Sequence, residues 1–594
     1  MFRITTCIIF ILLFFSFPTT KVNAQGSSQA MSFITPFEKN DNYSATYFEV
    51  MDHYERLAKS YEELGLFAFG STDSGYPLHM VVLSSDGDFD PESIRQKGKG
   101  VLMVMNGIHP GESCGVDASM MLARDYLDEA SKKVLLEKVV VVIIPVYNIG
   151  GSLNRRPNTR ANQNGPEMQG FRGNAKNLDL NRDFVKADTR NARTFNQIFQ
   201  YWKPDVFIDT HTSNGADYPY TMTLVETQHN KLETPLALYF KGQMLPRLYA
   251  DMERSGWEMC PYVNVRNTPD DGILGFLDLP RYSSGYAALF NCLSFMSETH
   301  MLKPFRDRVR STYSFIDASI QVLHDDLNEI REAREKAIEA TIKRKVFSLN
   351  WVPAYEKAET FRFKGYTAKY KTSEVTGLER LYYDRELPWE KDIPYLNNYK
   401  PSFTVEKPIA YIIPQAYQDV IERLRWNGVE LKQLASNQKL FVEMYRIRDY
   451  ESRNRPYENH YLHTEVDVEV FQQEYTFQKG DFVVFVNQPA NHYIVHTLEP
   501  QAPDSYFAWN FFDGILGRKE YFSPYVFDDI AAAFLKEHPE VREELEKKRA
   551  EDPEFAKSAW AQLDFVYRKT SYYEPSHNLY PVARLEAEQK MDLE

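Results

Sequence analysis

The chain has 594 residues, 43% of them hydrophobic, and a net charge of −14. That length calls for two or more domains, and the hydrophobic share is ample for a large core. The acidic balance argues against nucleic acid as the main partner, because phosphate binding needs a basic face.

Residues 1–24 read as a secretory signal peptide. Arg3 gives the positive start, Cys7 to Phe17 is almost wholly apolar, and Val22-Asn23-Ala24 has the form of a cleavage site. The apolar run is short for a membrane span, and no later span is evident. The expectation is export, secreted or periplasmic, with no stable membrane span after signal cleavage; an uncleaved anchor is the alternative. Once Cys7 has left, Cys114, Cys260 and Cys292 remain. Three is an odd number, so one disulfide plus a free thiol, or three buried thiols, are both open.

Residues 25–46 form a polar N-terminal segment, expected to be poorly ordered. From 47 to 344 the pattern is α/β, apolar runs separated by helical stretches. Val101 to Met105 predicts a strand and Val116 to Leu127 a helix. Val139 to Val146, apolar on both faces, predicts a central strand. A Gly/Asn/Arg-rich loop follows, from Asn148 to Asn181. Val206 to Ile208 and Leu289 to Met296 predict two further strands, and Phe315 to Lys343 one long charged helix. Residues 345–594 are rich in Tyr and Phe and alternate as strands do, for example over Thr464 to Val470 and Phe482 to Val486. Ile409 to Leu431 reads as strand, helix and an Asn427-Gly428 turn. The end, Asp528 to Tyr567, is helical with Pro539 and Pro553 as punctuation.

Chemistry-bearing residues gather at the carboxyl ends of the apolar runs, where open α/β sheets bind their ligands. His109 and Glu112 follow the first strand in NGIHPGES. His211 follows another in VFIDTHTSNG, and Glu298 a third in LFNCLSFMSETH. Two imidazoles and a carboxylate suit a catalytic zinc with an open fourth position. Glu298 is then the candidate base for the attacking water, and Asp209 can orient the ligating ring of His211. Arg155, Arg156, Arg160, Arg172 and Arg182 are candidates for stabilising an oxyanion. Asn181 with Arg182 can grip a carboxylate.

This set, HPGE, DLNR, DTH and SETH in that order, resembles the zinc carboxypeptidases related to carboxypeptidase A, over roughly residues 47–335. The resemblance implies a mixed central sheet with helices on both faces, followed here by a β-rich accessory domain with C-terminal helices that it does not cover. It implies one zinc ion (Zn2+) per chain on His109, Glu112 and His211. Glu298 would be general base and acid, Arg172 would polarise the scissile carbonyl, and Asn181 and Arg182 would hold the free C-terminal carboxylate of a peptide. Tyr282 and Tyr286 both stand near the family's substrate-capping tyrosine, and Tyr282 is the expected cap. The stretch Arg281 to Ser284, at the specificity position, offers neither a buried acid nor a large apolar wall, so the preferred side chain stays open.

Three other readings remain. A zinc amidase, deacylase or cell-wall peptide hydrolase would use the same site. Gly111-Glu-Ser-Cys-Gly115 also fits the Gly-x-Ser-x-Gly elbow of serine hydrolases; Ser113 would be the nucleophile and His211 or His300 its base, with Cys114 a weaker nucleophile. A non-catalytic peptide- or glycan-binding protein is the third.

Overall fold

The computed structural model describes residues 33–594; the signal-peptide expectation lies outside these residues. Among the described residues, nine strands precede residue 345. These are β1 (Leu64–Ser71), β2 (Pro77–Leu83), β3 (Gly100–Met105), β4 (Val139–Ile144), β5 (Val206–Ser213), β6 (Met222–Glu226), β7 (Met259–Pro261), β8 (Ile273–Leu274) and β9 (Leu293–His300). All but β8 form one mixed sheet in the order β1-β2-β4-β3-β5-β9-β6-β7. Its centre, β4-β3-β5-β9, is parallel; β2, β6 and β7 run against it, and β1, antiparallel to β2, runs with it.

β3, β4 and β5 are buried along their whole length, as strands covered on both faces must be. Parity along β3 shows what covers each face. A side chain on Gly100 would meet Leu323 and Leu327, so Leu102 and Val104 look toward the helices Phe305–Asp325 and Leu327–Lys343. Val101, Met103 and Met105 belong instead to the cluster containing Phe195, Phe199 and Trp202 of the helix Arg190–Trp202. Helices therefore lie on both faces of a mixed sheet.

The C-terminal region is β-rich. Its strands are β10 (Val346–Pro353), β11 (Glu359–Thr372), β12 (Glu379–Leu396), β13 (Tyr399–Glu406), β14 (Ala410–Ile413), β15 (Lys432–Gln433), β16 (Gln438–Ser452), β17 (His463–Phe477), β18 (Phe482–Phe485) and β19 (Ala583–Leu585). Six of them form a sheet in the order β15-β18-β14-β19-β16-β17. The β11–β12 hairpin takes β8 as its third strand. Prolines open the helices Pro524–Glu537, Pro539–Glu551 and Pro553–Lys557, where a missing N–H costs no hydrogen bond. One apolar cluster runs from Met103 and Phe207 through Tyr286 to Tyr411, Tyr493 and Tyr506, joining both halves of the chain.

Several expectations shift. The long helix predicted over 315–343 is two helices meeting at Asp326, whose carboxylate accepts bonds from Tyr239 and Arg247. Within the segment expected to be poorly ordered, Pro36–Lys39 is a helix with a capping box from Thr35 and Glu38, and Phe37 packs edge-on against Phe305. The predicted strand at 289–296 starts and ends four residues later, because Ser283–Ala288 is helical and the strand continues through Glu298. Cys114, Cys260 and Cys292 are three buried free thiols. Among the described residues no helix is long and apolar enough to cross a membrane.

The helix Tyr47–Ser60 carries a pH liability. His53 is buried, donates Nε2–H to the Met120 carbonyl at 3.2 Å, and burial pushes its pKa down to about 4. The unfolded chain takes up a proton below about 6.5 that the folded chain refuses, so this contribution to stability is complete above that pH and is lost as pH falls toward 4. The loss amounts to about 3 kcal/mol. His53→Gln, which retains a donor, should lose less melting temperature between pH 7.5 and pH 5 than wild type. An identical loss in both proteins would remove His53 as the cause.

Candidate metal and substrate site

Parallel register builds the site. His211 of β5 stands directly opposite Glu298 of β9, and Asp209 opposite Met105, the last residue of β3. The turn after β3 then carries His109 and Glu112 over the same edge. His109, Glu112 and His211 are all buried, and one donor atom from each falls within 4.8 Å of the others. His109 Nδ1 lies 3.3 Å and His211 Nδ1 3.1 Å from Glu112 Oε2.

Each imidazole uses its other nitrogen on a carboxylate: His109 Nε2 meets Asp179 at 2.9 Å, and His211 Nε2 meets Asp209 at 2.8 Å. Such pairing fixes the tautomer and leaves Nδ1 with its lone pair forward. His109 Nδ1 is buried without a hydrogen-bond partner among protein atoms. Donors about 2.0 Å from a tetrahedral zinc stand about 3.3 Å from one another, close to the separations seen. The donor set and its orphaned nitrogen therefore fit zinc.

Arginines surround the metal donors. Arg160 reaches Glu112 Oε1 at 2.5 Å and the Thr212 carbonyl at 3.0 Å, while Arg172 lies 3.4 Å from Glu112 Oε1 and 3.0 Å from Asp179. Burial opposes the charge of Asp179, yet His109, Arg172 and Arg182 together hold it well below the usual carboxylate range. Glu298 shows the reverse: burial and the charge of Glu112 push it up to about 7, with His211 pulling the other way. A carboxylate with affinity for a proton near neutrality is suited to proton transfer.

All eight residues expected from the sequence line one cavity of about 220 Å³: His109, Glu112, His211, Glu298, Arg172, Asn181, Arg182 and Tyr282. Arg160 lines it as well, whereas Arg155 is spent on the carbonyls of Ser44, Ala45 and Met168. Tyr282 lies over the Arg182 guanidinium at 4.7 Å. Tyr286 is in the core and donates to Asn427 at 2.6 Å, so it takes no part. Sequence reasoning missed the apolar wall, Val225, Tyr262, Phe276 and Met296. Val225 lies on β6, Met296 on β9, and Tyr262 and Phe276 in the segments after β7 and β8; none of them belongs to a motif. It also missed Asp179 as partner of His109, although the DLNR motif contains it. Arg281, at the expected specificity position, turns away and pairs with Asp504 at 2.8 Å.

The Gly-x-Ser-x-Gly stretch has a packing explanation. A side chain at Gly115 would lie 2.0 Å from Thr210 Oγ1, and one at Gly111 would lie 2.7 Å from Arg160. Ser113 Oγ is buried without a hydrogen-bond partner among protein atoms, His211 is engaged by Glu112 and Asp209, and His300 pairs with Asp217.

The mixed α/β sheet thus carries a donor set that fits zinc at its parallel edge. The family model described as zinc carboxypeptidase matches residues 50–271. Carboxypeptidase 2 of Trichophyton rubrum is 22% identical over 488 residues, covering 77% of this chain and 82% of that protein. A probable carboxypeptidase 2 of Arthroderma benhamiae is 21% identical, covering 65% and 70%. Among solved structures, a putative carboxypeptidase A from Shewanella denitrificans aligns with a TM-score of 0.37 and 19% identity, over 48% of this chain and 69% of that one. Carboxypeptidase A from Helicoverpa armigera aligns with a TM-score of 0.36 and 14% identity, over 50% and 75%.

Proposed function

We propose that this protein is an exported zinc carboxypeptidase that removes C-terminal residues from peptides, with its catalytic part in residues 47–344 and an accessory region in 345–594. The observation that carries the reading is one cavity holding both a zinc donor set and, facing it, an Asn-Arg pair for a carboxylate. His109, Glu112 and His211 would hold the zinc, which would supply a Lewis acid for water and for the scissile carbonyl.

The chain's own groups do the rest. Asn181 and Arg182 bind the terminal carboxylate and so set the last peptide bond, rather than an internal one, over the metal donors. Tyr282 closes over that end. Arg172 donates to the carbonyl oxygen as negative charge develops there. Glu298 takes a proton from the attacking water and passes it to the leaving amine. Val225, Tyr262, Phe276 and Met296 favour an apolar side chain at the end of the peptide, since among the described residues the acids lining the cavity are Glu112 and Glu298 alone.

Arg182 provides the test. Replacing it by Ala removes the cation that distinguishes a free acid from an amide. Arg182→Ala should lower kcat/KM for N-benzoylglycyl-L-phenylalanine by about 100-fold or more, in line with the loss of a charge-assisted pair. Its kcat/KM for the C-terminal amide should change little. Wild type that cleaves acid and amide equally well would point to an amidase or endopeptidase instead.

A further inference from the structure

The loop between β16 and β17, residues 453–462, leaves the C-terminal sheet and reaches the back of the cavity. Tyr457 accepts a bond from Arg182 Nε through its hydroxyl at 3.0 Å. Its neighbour Glu458 accepts the backbone N–H of Asp179 at 2.7 Å. One loop tip therefore holds both the arginine facing the substrate end and the segment whose carboxylate turns His109.

The tip is built to stay in place. The Tyr457 ring stacks on Trp509 with 14° between planes, and Trp509 Nε1 donates to Asp504, the partner of Arg281. His460 pairs with Asp188 at 2.7 Å, and backbone bonds join Tyr457 and His460 in both directions. Glu458 and Asn459 take positive φ, 49° and 72°, a conformation that non-glycine residues adopt only when their surroundings enforce it. Arg182 is thus sandwiched, with Tyr282 on its face and Tyr457 at its Nε edge.

We propose that Tyr457 and Glu458 are positioning residues, and that the C-terminal region serves the catalytic part by fixing Arg182 and the Asp179 backbone for the substrate's terminal carboxylate. With Nε–H held by Tyr457 and Nη1 donating to the Asn181 carbonyl at 2.7 Å, the guanidinium plane is fixed and its remaining N–H groups are set, so less freedom is lost when a carboxylate docks. This rests on the carboxypeptidase reading above.

The test uses the full metal-replete chain, N-benzoylglycyl-L-phenylalanine and its C-terminal amide as substrates, and L-phenylalanine as an equilibrium binding probe. Tyr457→Phe keeps the ring on Trp509 and removes only the acceptor. It should raise KM for the acid about tenfold, as expected for one lost hydrogen bond to a charged group, with kcat within about twofold. It should also weaken L-phenylalanine binding by about the same factor and leave the melting temperature unchanged. Glu458→Ala should lower kcat/KM for the acid, and Glu458→Gln, whose amide oxygen still accepts the Asp179 N–H, should restore it. Wild-type KM and probe affinity in Tyr457→Phe would overturn the inference, as would a fall in melting temperature with KM unchanged. If wild type itself does not distinguish acid from amide, the carboxypeptidase reading fails; if it does and Tyr457→Phe behaves like it, only the positioning role fails.

Discussion

Glu298→Gln should lower kcat by roughly 1,000- to 10,000-fold while zinc content stays at one per chain. The upper range of a positioned general base is about 10,000-fold, and in the proposed mechanism this carboxylate serves twice, on the water and on the leaving amine. Glutamine has the same shape and no basicity, so the change isolates proton transfer. Burial and Glu112 already push the Glu298 carboxyl up to about 7. A neutral amide removes that cost, and the melting temperature should hold or rise. Groups poised for chemistry commonly trade stability for function in this way. Activity within tenfold of wild type would show that another group carries the proton.

His211→Ala should abolish zinc binding and, with it, peptide hydrolysis. Two donors, His109 and Glu112, remain, and a catalytic zinc uses three protein ligands. Inductively coupled plasma analysis of the dialysed variant should find well under one zinc per chain. Asp209→Asn makes the graded comparison. It leaves His211 in place but weakens the acceptor at 2.8 Å, and zinc affinity should fall about 10- to 100-fold. Full zinc occupancy and activity in His211→Ala would remove β5 from the metal site. Retained activity in exhaustively chelated wild type would remove the metal from the mechanism.

The meeting of His109, Glu112, His211 and Glu298 in one cavity was legible because each sits in a short motif at the end of an apolar run. A parallel sheet then brings such ends to one edge, so spacing along the chain became proximity in space. Asp209 was legible for a similar reason: two residues along a strand share a face, and it does meet His211. The helix break at Asp326 was not visible, since neither proline nor glycine marks it and the carboxylate's partners, Tyr239 and Arg247, lie far away in sequence. Tyr457 and Glu458 were hidden more deeply. They touch Arg182 and Asp179 across more than 270 positions, and no local pattern encodes such a contact. The choice between Tyr282 and Tyr286 likewise needed the core, which absorbs Tyr286 between Phe199 and Phe290.

The central claim is that a free carboxylate directs this site to the last peptide bond. Mass spectrometry of an unprotected decapeptide ending in phenylalanine, incubated with zinc-replete protein beside its C-terminal amide, tests that most directly. The account predicts loss of single residues from the carboxyl end of the free peptide and no shortening of the amide. Internal fragments, or equal shortening of both peptides, would contradict it.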